Sequence, residues 1–335
     1  MEANLTASAA PAFDTEAIRL KWREARGGKP STATMNFVVY VENERYRDWV
    51  FERAWRIADK HPSRMIMLDA IKGHHGTKVT AHEPQHENAP QIFWEGVELG
   101  VDGIRAPLRV QFVEALLVKD IPNVLWWAAD RLFASETFAG LLKIVEHVIL
   151  DSSGTDTEPN ALREFSSFFT GKQPVALGDL AWMRLDPWRD VIAQFFDDPS
   201  MRDELSAIRR IAISSGSDSE MLYLGGWLAS RLGWTVRDTS TFVDGRGSVI
   251  SFERKRAGDI RRVQSVRLET ATSAYAAHVE GETVALEVTG RFARAKRHVP
   301  LQAIDNTSLV ERAILGERTD EIFMEALATV GDLLK

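Results

Sequence analysis

The spacing of apolar residues changes partway along the chain, and this change constrains the fold more than any other feature of the sequence. Between residues 35 and 151, short apolar runs alternate with segments whose apolar side chains recur every three to four residues. Such alternation is typical of a mostly parallel sheet covered by helices. After Trp234 the apolar residues recur at every second position instead, which predicts an antiparallel meander.

We therefore predict an α/β protein with two domains, which also fits a chain of 335 residues, since that is long for one hydrophobic core. Residues 31–155 should form an N-terminal domain with a three-layer, mostly parallel sheet and helices. Residues 156–335 should form hinge helices followed by an α+β domain with the antiparallel sheet. Residues 1–30 are expected to be a flexible N-terminal arm that holds a short helix, in which Trp22 anchors the arm either to the protein core or to a partner.

Composition excludes several functional classes. The chain has no cysteine, so disulfides, cysteine metal sites and thiol redox control cannot act through it. Its net charge of -7 argues against a nucleic-acid partner. No apolar run approaches the ~20 residues of a membrane span, and the first residues lack the pattern of a secretory signal. We expect a cytoplasmic protein without a membrane partner.

Charge is unevenly distributed along the second half. Residues 241–300 hold 11 lysines and arginines against 7 acids, whereas residues 301–335 hold 3 against 7. A basic sheet beside an acidic segment indicates either internal complementarity or a docking face for an acidic protein.

Motifs for catalysis or cofactor binding are missing at convincing spacing. The first predicted strand is not followed by a GxGxxG turn, and there is no Walker loop. Acids at predicted strand ends, namely Asp69, Asp130 and Asp151, are the best catalytic candidates, but such acids more often cap helices or pair with arginine. We predict no catalytic residue, no cofactor and no metal.

One apparent metal motif is His82-Glu83-Pro84-Gln85-His86, which spells HExxH. On a helix this spacing would place two zinc ligands on one face. A proline inside the motif opposes that helix, so we interpret residues 71–91 as a solvated loop.

A serine-rich loop at residues 214–217, which begins with Ser214 and ends with Ser217, precedes a predicted helix. Free amides at a helix start can bind phosphate, which would suit a sugar-phosphate site. Alternatively, Ser217 and Glu220 form a capping box that satisfies the helix end. We favour capping, because Asp218 and Glu220 would repel an anion.

The segment at residues 177–196 joins the two halves. Asp186 is predicted to cap a helix that begins with Pro187. The apolar side chains of that helix recur at helical spacing, as an aromatic-rich stripe of Trp188, Val191, Ile192, Phe195 and Phe196.

The same segment resembles the OpcA family of glucose-6-phosphate dehydrogenase assembly proteins, whose members carry a similar Gly-Asp-Leu-x-Trp-x-Arg-Leu-x-Pro-Trp-Arg run. The resemblance covers roughly residues 31–335. It extends to three further motifs in the same order: His61-Pro62-Ser63-Arg64, Ile121-Pro122-Asn123-Val124-Leu125-Trp126-Trp127, and Gly226-Trp227-Leu228-Ala229-Ser230-Arg231-Leu232-Gly233-Trp234.

The resemblance implies a non-catalytic protein that binds glucose-6-phosphate dehydrogenase and promotes its active oligomer in the oxidative pentose phosphate pathway. The alternative is a sugar-phosphate-binding enzyme of that pathway that uses the loop at residues 214–217. Tryptophan and arginine are enriched at the energetic centres of protein interfaces. We therefore predict as contacts for the dehydrogenase the residues Trp126, Trp127, Trp182, Arg184 and Trp188.

Overall fold

A computed structural model describes residues 13–27, 29, 31–82, 94–129, 135–157, 160–171, 175–258, 262–301, 305–316 and 320–335. The chain divides into two compact units. The first unit comprises residues 1–150 and 174–176, and the second comprises residues 151–173 and 177–335. None of the helices in the described part of the chain combines the length and the apolar character that a membrane span requires.

The first unit is built around a parallel sheet with one antiparallel edge. Its strands are β1 (Met35–Val41), β2 (Ser63–Asp69), β3 (His75–His82), β4 (Trp94–Val101), β5 (Asn123–Ala128) and β6 (His147–Leu150). Its helices are α1 (Thr15–Ala25), α2 (Glu44–Lys60), α3 (Ala106–Leu116) and α4 (Glu136–Leu141). With β7 (Ala176–Asp179), the strand order is β3-β4-β2-β1-β5-β6-β7. The pairs β4-β2, β2-β1, β1-β5 and β5-β6 are parallel.

Burial in this unit follows the apolar pattern of the sequence. All seven residues of β1 are buried, as expected for a central parallel strand covered on both faces. The helix α2 begins after Asn43, whose side chain accepts a hydrogen bond from the Arg45 amide at 3.0 Å. Trp22 of α1 is only 1% exposed and donates from its indole nitrogen to the Gly96 carbonyl at 2.9 Å. Of the two expectations for Trp22, anchoring to the protein core is confirmed.

The predicted loop at residues 71–91 is wrong in its first half. Residues His75–His82 form β3, which pairs antiparallel with β4 along its whole length. The alternation of Thr77, Val79 and Ala81 was the signal for this strand. The rest of the loop, including Glu83 to His86 of the HExxH match, lies outside the described residues.

The second unit contains a mixed sheet and most of the helices. Its helices are α5 (Ala161–Thr170), α6 (Leu180–Met183), α7 (Asp186–Ala193), α8 (Arg202–Leu205), α9 (Asp218–Leu232), α10 (Asn306–Leu315) and α11 (Glu321–Leu333). Its strands are β8 (Arg210–Ser215), β9 (Thr235–Asp238), β10 (Thr241–Val243), β11 (Val249–Arg256), β12 (Val263–Glu269), β13 (Ser273–Glu280), β14 (Thr283–Gly290) and β15 (Arg294–Pro300). The sheet order is β15-β14-β13-β12-β8-β11-β10-β9, and β12 to β15 form an antiparallel meander. The predicted meander is confirmed for β12 to β14 but wrong for β11, which pairs parallel with β8 and is separated from β12 by that strand.

Two glycines allow α9 to approach its neighbours closely. A Cβ atom on Gly225 would lie 2.5 Å from the Phe252 ring, and one on Gly226 would lie 2.6 Å from the Ala326 carbonyl oxygen of α11. Either glycine costs about 1 kcal/mol of helix propensity relative to alanine, and the close packing offsets this cost. The helix ends at Gly233, a left-handed C-cap with φ of 66°.

The start of α7 differs from the prediction. Leu185, not Asp186, occupies the N-cap position, and Asp186 is the first residue of the helix. The Asp186 carboxylate accepts hydrogen bonds from Arg189 and Arg312 instead of from free amides. The predicted apolar stripe is nevertheless confirmed, because Trp188, Val191 and Ile192 are buried together with both phenylalanines that follow the helix.

Candidate functional site

A buried polar cluster in the second unit is organised around Arg184. We call it the Arg184 cluster, and its members are Asp151, Ser152, Ser153, Asp156, Asp179, Arg184, Ser215, Ser217, Ser219, Glu220 and Tyr223. The Arg184 guanidinium binds both carboxylate oxygens of Asp151, at 2.9 and 2.8 Å. It also donates to Glu220 at 3.3 Å and to the Ser153 hydroxyl at 3.1 Å. This two-pronged contact with Asp151 is the geometry in which arginine binds carboxylates most strongly.

Asp179 places Arg184 by capping the helix in front of it. Its carboxylate accepts from the Ala181 amide at 2.9 Å, which starts α6, and Arg184 follows one turn later. The same carboxylate accepts from the Ser152 amide at 3.1 Å and from the Tyr223 hydroxyl at 2.8 Å. The Gly-Asp-Leu-x-Trp-x-Arg run thus encodes a cap and an arginine that meet in one cluster.

Burial changes the acidity of the carboxyl groups in the cluster. Burial raises the pKa of Glu220 to about 7, although Arg184 opposes that shift. Burial and the nearby charge of Asp151 likewise raise the pKa of Asp179 to about 6. At Asp151, burial acts in the same direction, but the charge and hydrogen bonds of Arg184 outweigh it, so its pKa is lowered. The Arg184 guanidinium therefore favours the charged form of Asp151, whereas burial favours the protonated forms of Asp179 and Glu220.

The raised pKa of Glu220 predicts a pH dependence of stability. Between about pH 4.5 and pH 7 the folded protein holds a proton on Glu220 that the unfolded chain releases, so stability falls as pH rises through this window. We expect Glu220→Gln to remove up to roughly 3 kcal/mol of this decrease, because the amide does not ionise. Urea unfolding at a series of pH values from 4.5 to 8 measures the slope.

The matched control is Glu282→Gln, in the exposed turn before β14. It should leave the pH slope of the wild type unchanged. Equal slopes for wild type and Glu220→Gln would show that Glu220 does not titrate as described.

The start of α9 is satisfied within the chain. The Asp156 carboxylate accepts from the amides of Asp218 and Ser219, at 3.0 and 3.1 Å. The Ser217 hydroxyl accepts from the Glu220 amide at 3.4 Å, which is half of the predicted capping box. The other half is not formed, since the Glu220 carboxylate bonds Arg184 and Ser215.

This arrangement bears on the sugar-phosphate alternative. The amides that would bind a phosphate already bind the carboxylate of Asp156, which occupies the place an anion would take. The hydroxyls of Ser215 and Ser217 are fully buried and bonded within the cluster. The geometry therefore favours a structural role for the serine-rich loop.

The tryptophans predicted as dehydrogenase contacts are buried. Trp126 and Trp127 lie inside β5 at 3% and 1% exposure, so neither presents the exposed side chain that a direct contact needs. Trp127 stacks on Tyr40 with ring centroids 4.0 Å apart. Trp182 and Trp188 are also buried, and Arg184 is committed to its cluster. The sequence indicated a strand at Trp126 and Trp127, but it did not indicate that both faces of this strand are covered.

A second group of charged residues lines a cavity of about 400 Å³ in the first unit. Asp69, at the end of β2, accepts from Arg47 at 2.5 Å and contacts the His74 ring at 2.7 Å. Arg47 also reaches Glu98 at 3.2 Å, and Lys78 bonds the same glutamate. The prediction that strand-end acids pair with arginine is confirmed for Asp69 and Asp151, whereas Asp130 lies outside the described residues.

The strand order of the first unit is the one found in dinucleotide-binding folds. Without the edge strand β3, the order β4-β2-β1-β5-β6-β7 corresponds to 3-2-1-4-5-6. In such folds the turn after the first strand is rich in glycine and holds a pyrophosphate. Here that turn is Glu42-Asn43 and leads into Glu44, so two acids and no glycine occupy it. No group of three or more potential metal ligands occurs among the described residues.

Solved structures with a similar fold are oxidoreductases. The 3-ketoreductase KijD10 from Actinomadura kijaniata, in complex with NADP and TDP-benzene, matches with a TM-score of 0.50 and 11% sequence identity, over 90% of this chain and 95% of that chain. At this identity the match establishes the fold alone. It agrees with the predicted class, an α/β half joined to an α+β half.

Sequence comparisons are more specific. A putative OxPP cycle protein OpcA from Nostoc punctiforme is 32% identical over 190 residues, which are 53% of this chain and 40% of the relative. A protein of the same description from Synechococcus elongatus is 31% identical over 186 residues, 53% of this chain and 41% of the relative. The matched region thus spans about two fifths of these relatives.

Two family models also match. The N-terminal domain of the glucose-6-phosphate dehydrogenase subunit, OpcA_G6PD_assem, matches residues 54–167. The C-terminal domain of the same subunit, OpcA_G6PD_C, matches residues 175–327. Together the two models cover most of the sequence and both structural units, and the chain belongs to the OpcA family of glucose-6-phosphate dehydrogenase assembly proteins.

Proposed function

We propose that this protein is a non-catalytic assembly factor and allosteric activator that binds glucose-6-phosphate dehydrogenase and promotes its active oligomer in the oxidative pentose phosphate pathway. The turn after β1 is the observation that most supports a non-catalytic role. A dehydrogenase-type strand order here lacks the glycines that let a pyrophosphate approach the backbone, and it places Glu42 and Glu44 at the helix start, where they repel phosphate.

The second unit supports the same proposal. The Arg184 cluster satisfies its own donors and acceptors, and the serine hydroxyls of the loop at residues 214–217 bond inside it. A group that already bonds its neighbours in the ground state has to break those bonds before it can bind a substrate. The cluster therefore serves to hold the fold that presents a surface to the dehydrogenase.

Activation by such a protein depends on binding energy alone. An activator shifts its partner only by binding the active arrangement more tightly than the inactive one. A preference of ~1–3 kcal/mol changes the equilibrium between the two arrangements roughly 5- to 150-fold. In this proposal Trp126, Trp127, Trp182 and Trp188, which are buried, and Arg184, which binds Asp151 and Glu220, support the contact surface from within.

The test mixes purified chain with the cognate dehydrogenase and follows the oligomer mass by light scattering and the kinetics with glucose 6-phosphate. We expect a heavier complex and a change in dehydrogenase activity. The chain alone, supplied with NADP and glucose 6-phosphate, should neither bind the nucleotide by calorimetry nor form product. Absence of both a complex and a kinetic change would end the proposal, and turnover by the chain alone would favour the enzymatic alternative.

A further inference from the structure

The last strand of the second sheet, β15, is an exposed and basic edge. It is the outermost strand in the described sheet, and six of its seven residues are exposed. The surrounding sequence at residues 288–304 contains four lysines and arginines and no acid. This local charge is opposite in sign to the net charge of -7 of the whole chain.

Ion pairs neutralise only part of this charge. Lys296 pairs with Glu280 and Glu287, at 2.5 and 3.3 Å, and Arg294 pairs with Asp198 at 2.8 Å. Arg291 and Arg297, in contrast, have no carboxylate partner among the described residues. The exposed Arg297 guanidinium on this edge strand therefore has no ion-pair partner among the described residues.

Two cavities lie beside this edge and share Gln194. The larger, of about 690 Å³, is lined by α7, the end of β15 and Arg312 of α10. The smaller, of about 90 Å³, is lined by Arg294, Arg297 and the apolar residues around Phe195. We call the surface lined by these two cavities the β15 groove. Its walls carry four arginines, Arg189, Arg294, Arg297 and Arg312, against the two aspartates Asp186 and Asp190.

We propose that the β15 groove binds an extended acidic segment of the dehydrogenase, which lies along the open edge of β15. A free strand edge offers unpaired backbone groups to an extended peptide. Arg189 and Arg312 already bind Asp186, and Arg294 binds Asp198, so the charge complementarity to an acidic peptide comes from Arg297. Apolar walls at Val299 and in the smaller cavity accept side chains that alternate with the acids. This inference rests on the proposed function, since it names the surface through which the complex forms.

Charge reversal at Arg297 tests the groove. The dehydrogenase is titrated with wild type, with Arg297→Glu and with Arg246→Glu, and each dissociation constant is measured at low and at high salt. Arg246 is the matched control, because it is exposed in the turn between β10 and β11, near the opposite edge of the sheet. We expect Arg297→Glu to weaken binding at least about tenfold and to reduce its salt dependence, and Arg246→Glu to bind as wild type does.

A second experiment, with labelled peptides, tests the β15 groove independently of the proposed function. A fluorescein-labelled peptide of alternating glutamate and valine should bind wild type, and binding should be lost in Arg297→Glu and for a lysine-valine peptide. If wild type binds the dehydrogenase and all three proteins bind it equally, the groove proposal is overturned while the proposed function stands. If wild type binds no dehydrogenase, the proposed function fails. The glutamate-valine peptide then decides alone whether the β15 groove binds an acidic segment.

Discussion

Arg184→Met is expected to lower the free energy of unfolding by about 3–5 kcal/mol at pH 8, because it leaves buried carboxylates without their counterion. Without Arg184, Asp151 loses two hydrogen bonds and Glu220 loses one. Asp179 also lies near Asp151, whose negative charge raises the pKa of Asp179. At pH 5 the loss should be smaller, since protonation removes the repulsion. Urea unfolding followed by tryptophan fluorescence at both pH values measures the difference.

Arg210→Met is the matched control for this experiment. Arg210 also binds two carboxylates, Glu253 and Glu269, but it is 43% exposed on the sheet. Solvent screens such a pair, so the removal of Arg210 should cost much less stability than the removal of Arg184. Equal losses for the two variants would contradict the view that burial makes Arg184 essential to the second unit.

Trp182→Ala is expected to cost about 3–5 kcal/mol of stability, the usual loss when a buried tryptophan is truncated. Trp182 is 2% exposed and stacks on Phe323 with ring centroids 5.1 Å apart. Its indole nitrogen donates to Asp320 at 2.9 Å, and the Arg189 guanidinium lies 3.8 Å from the ring centroid. Thermal unfolding by circular dichroism measures the loss, which should appear as a lower Tm.

Trp182→Phe separates a core role from a partner contact. Phenylalanine keeps the stacking on Phe323 and loses the hydrogen bond, so it should be folded at room temperature. The dissociation constant of the folded variant for the dehydrogenase should then equal that of wild type. A tenfold weaker complex with an unchanged Tm would instead show that Trp182 contacts the partner, as the sequence suggested.

Much of the fold was predictable because apolar periodicity reports burial directly. The runs that became β1 and β5 are short and almost wholly apolar, and the structure has buried strands at those positions. The edge strand β3 was missed because its residues 75–78 are exposed and polar or small, so the alternation at Thr77, Val79 and Ala81 is only weakly apolar. Histidines and glycines in its neighbourhood added the appearance of a loop.

The Arg184 cluster was less predictable. Its acids come from three separate segments, and Asp151, Asp179 and Glu220 are not spaced as a motif in the sequence. Only the fold brings them to one guanidinium. A signal did exist in Gly-Asp-Leu-Ala-Trp-Met-Arg, where two charged residues flank an apolar stretch, since charged groups next to apolar runs tend to be paired when buried.

The Asp156 carboxylate at the start of α9 has a consequence for regulation by metabolites. It is tethered to its site, so its effective concentration there is at least in the millimolar range, whatever the composition of the solution. A free phosphate ester would have to outcompete this resident acid before it could reach the Asp218 and Ser219 amides. The start of α9 is therefore insulated from changes in the concentration of free phosphate esters.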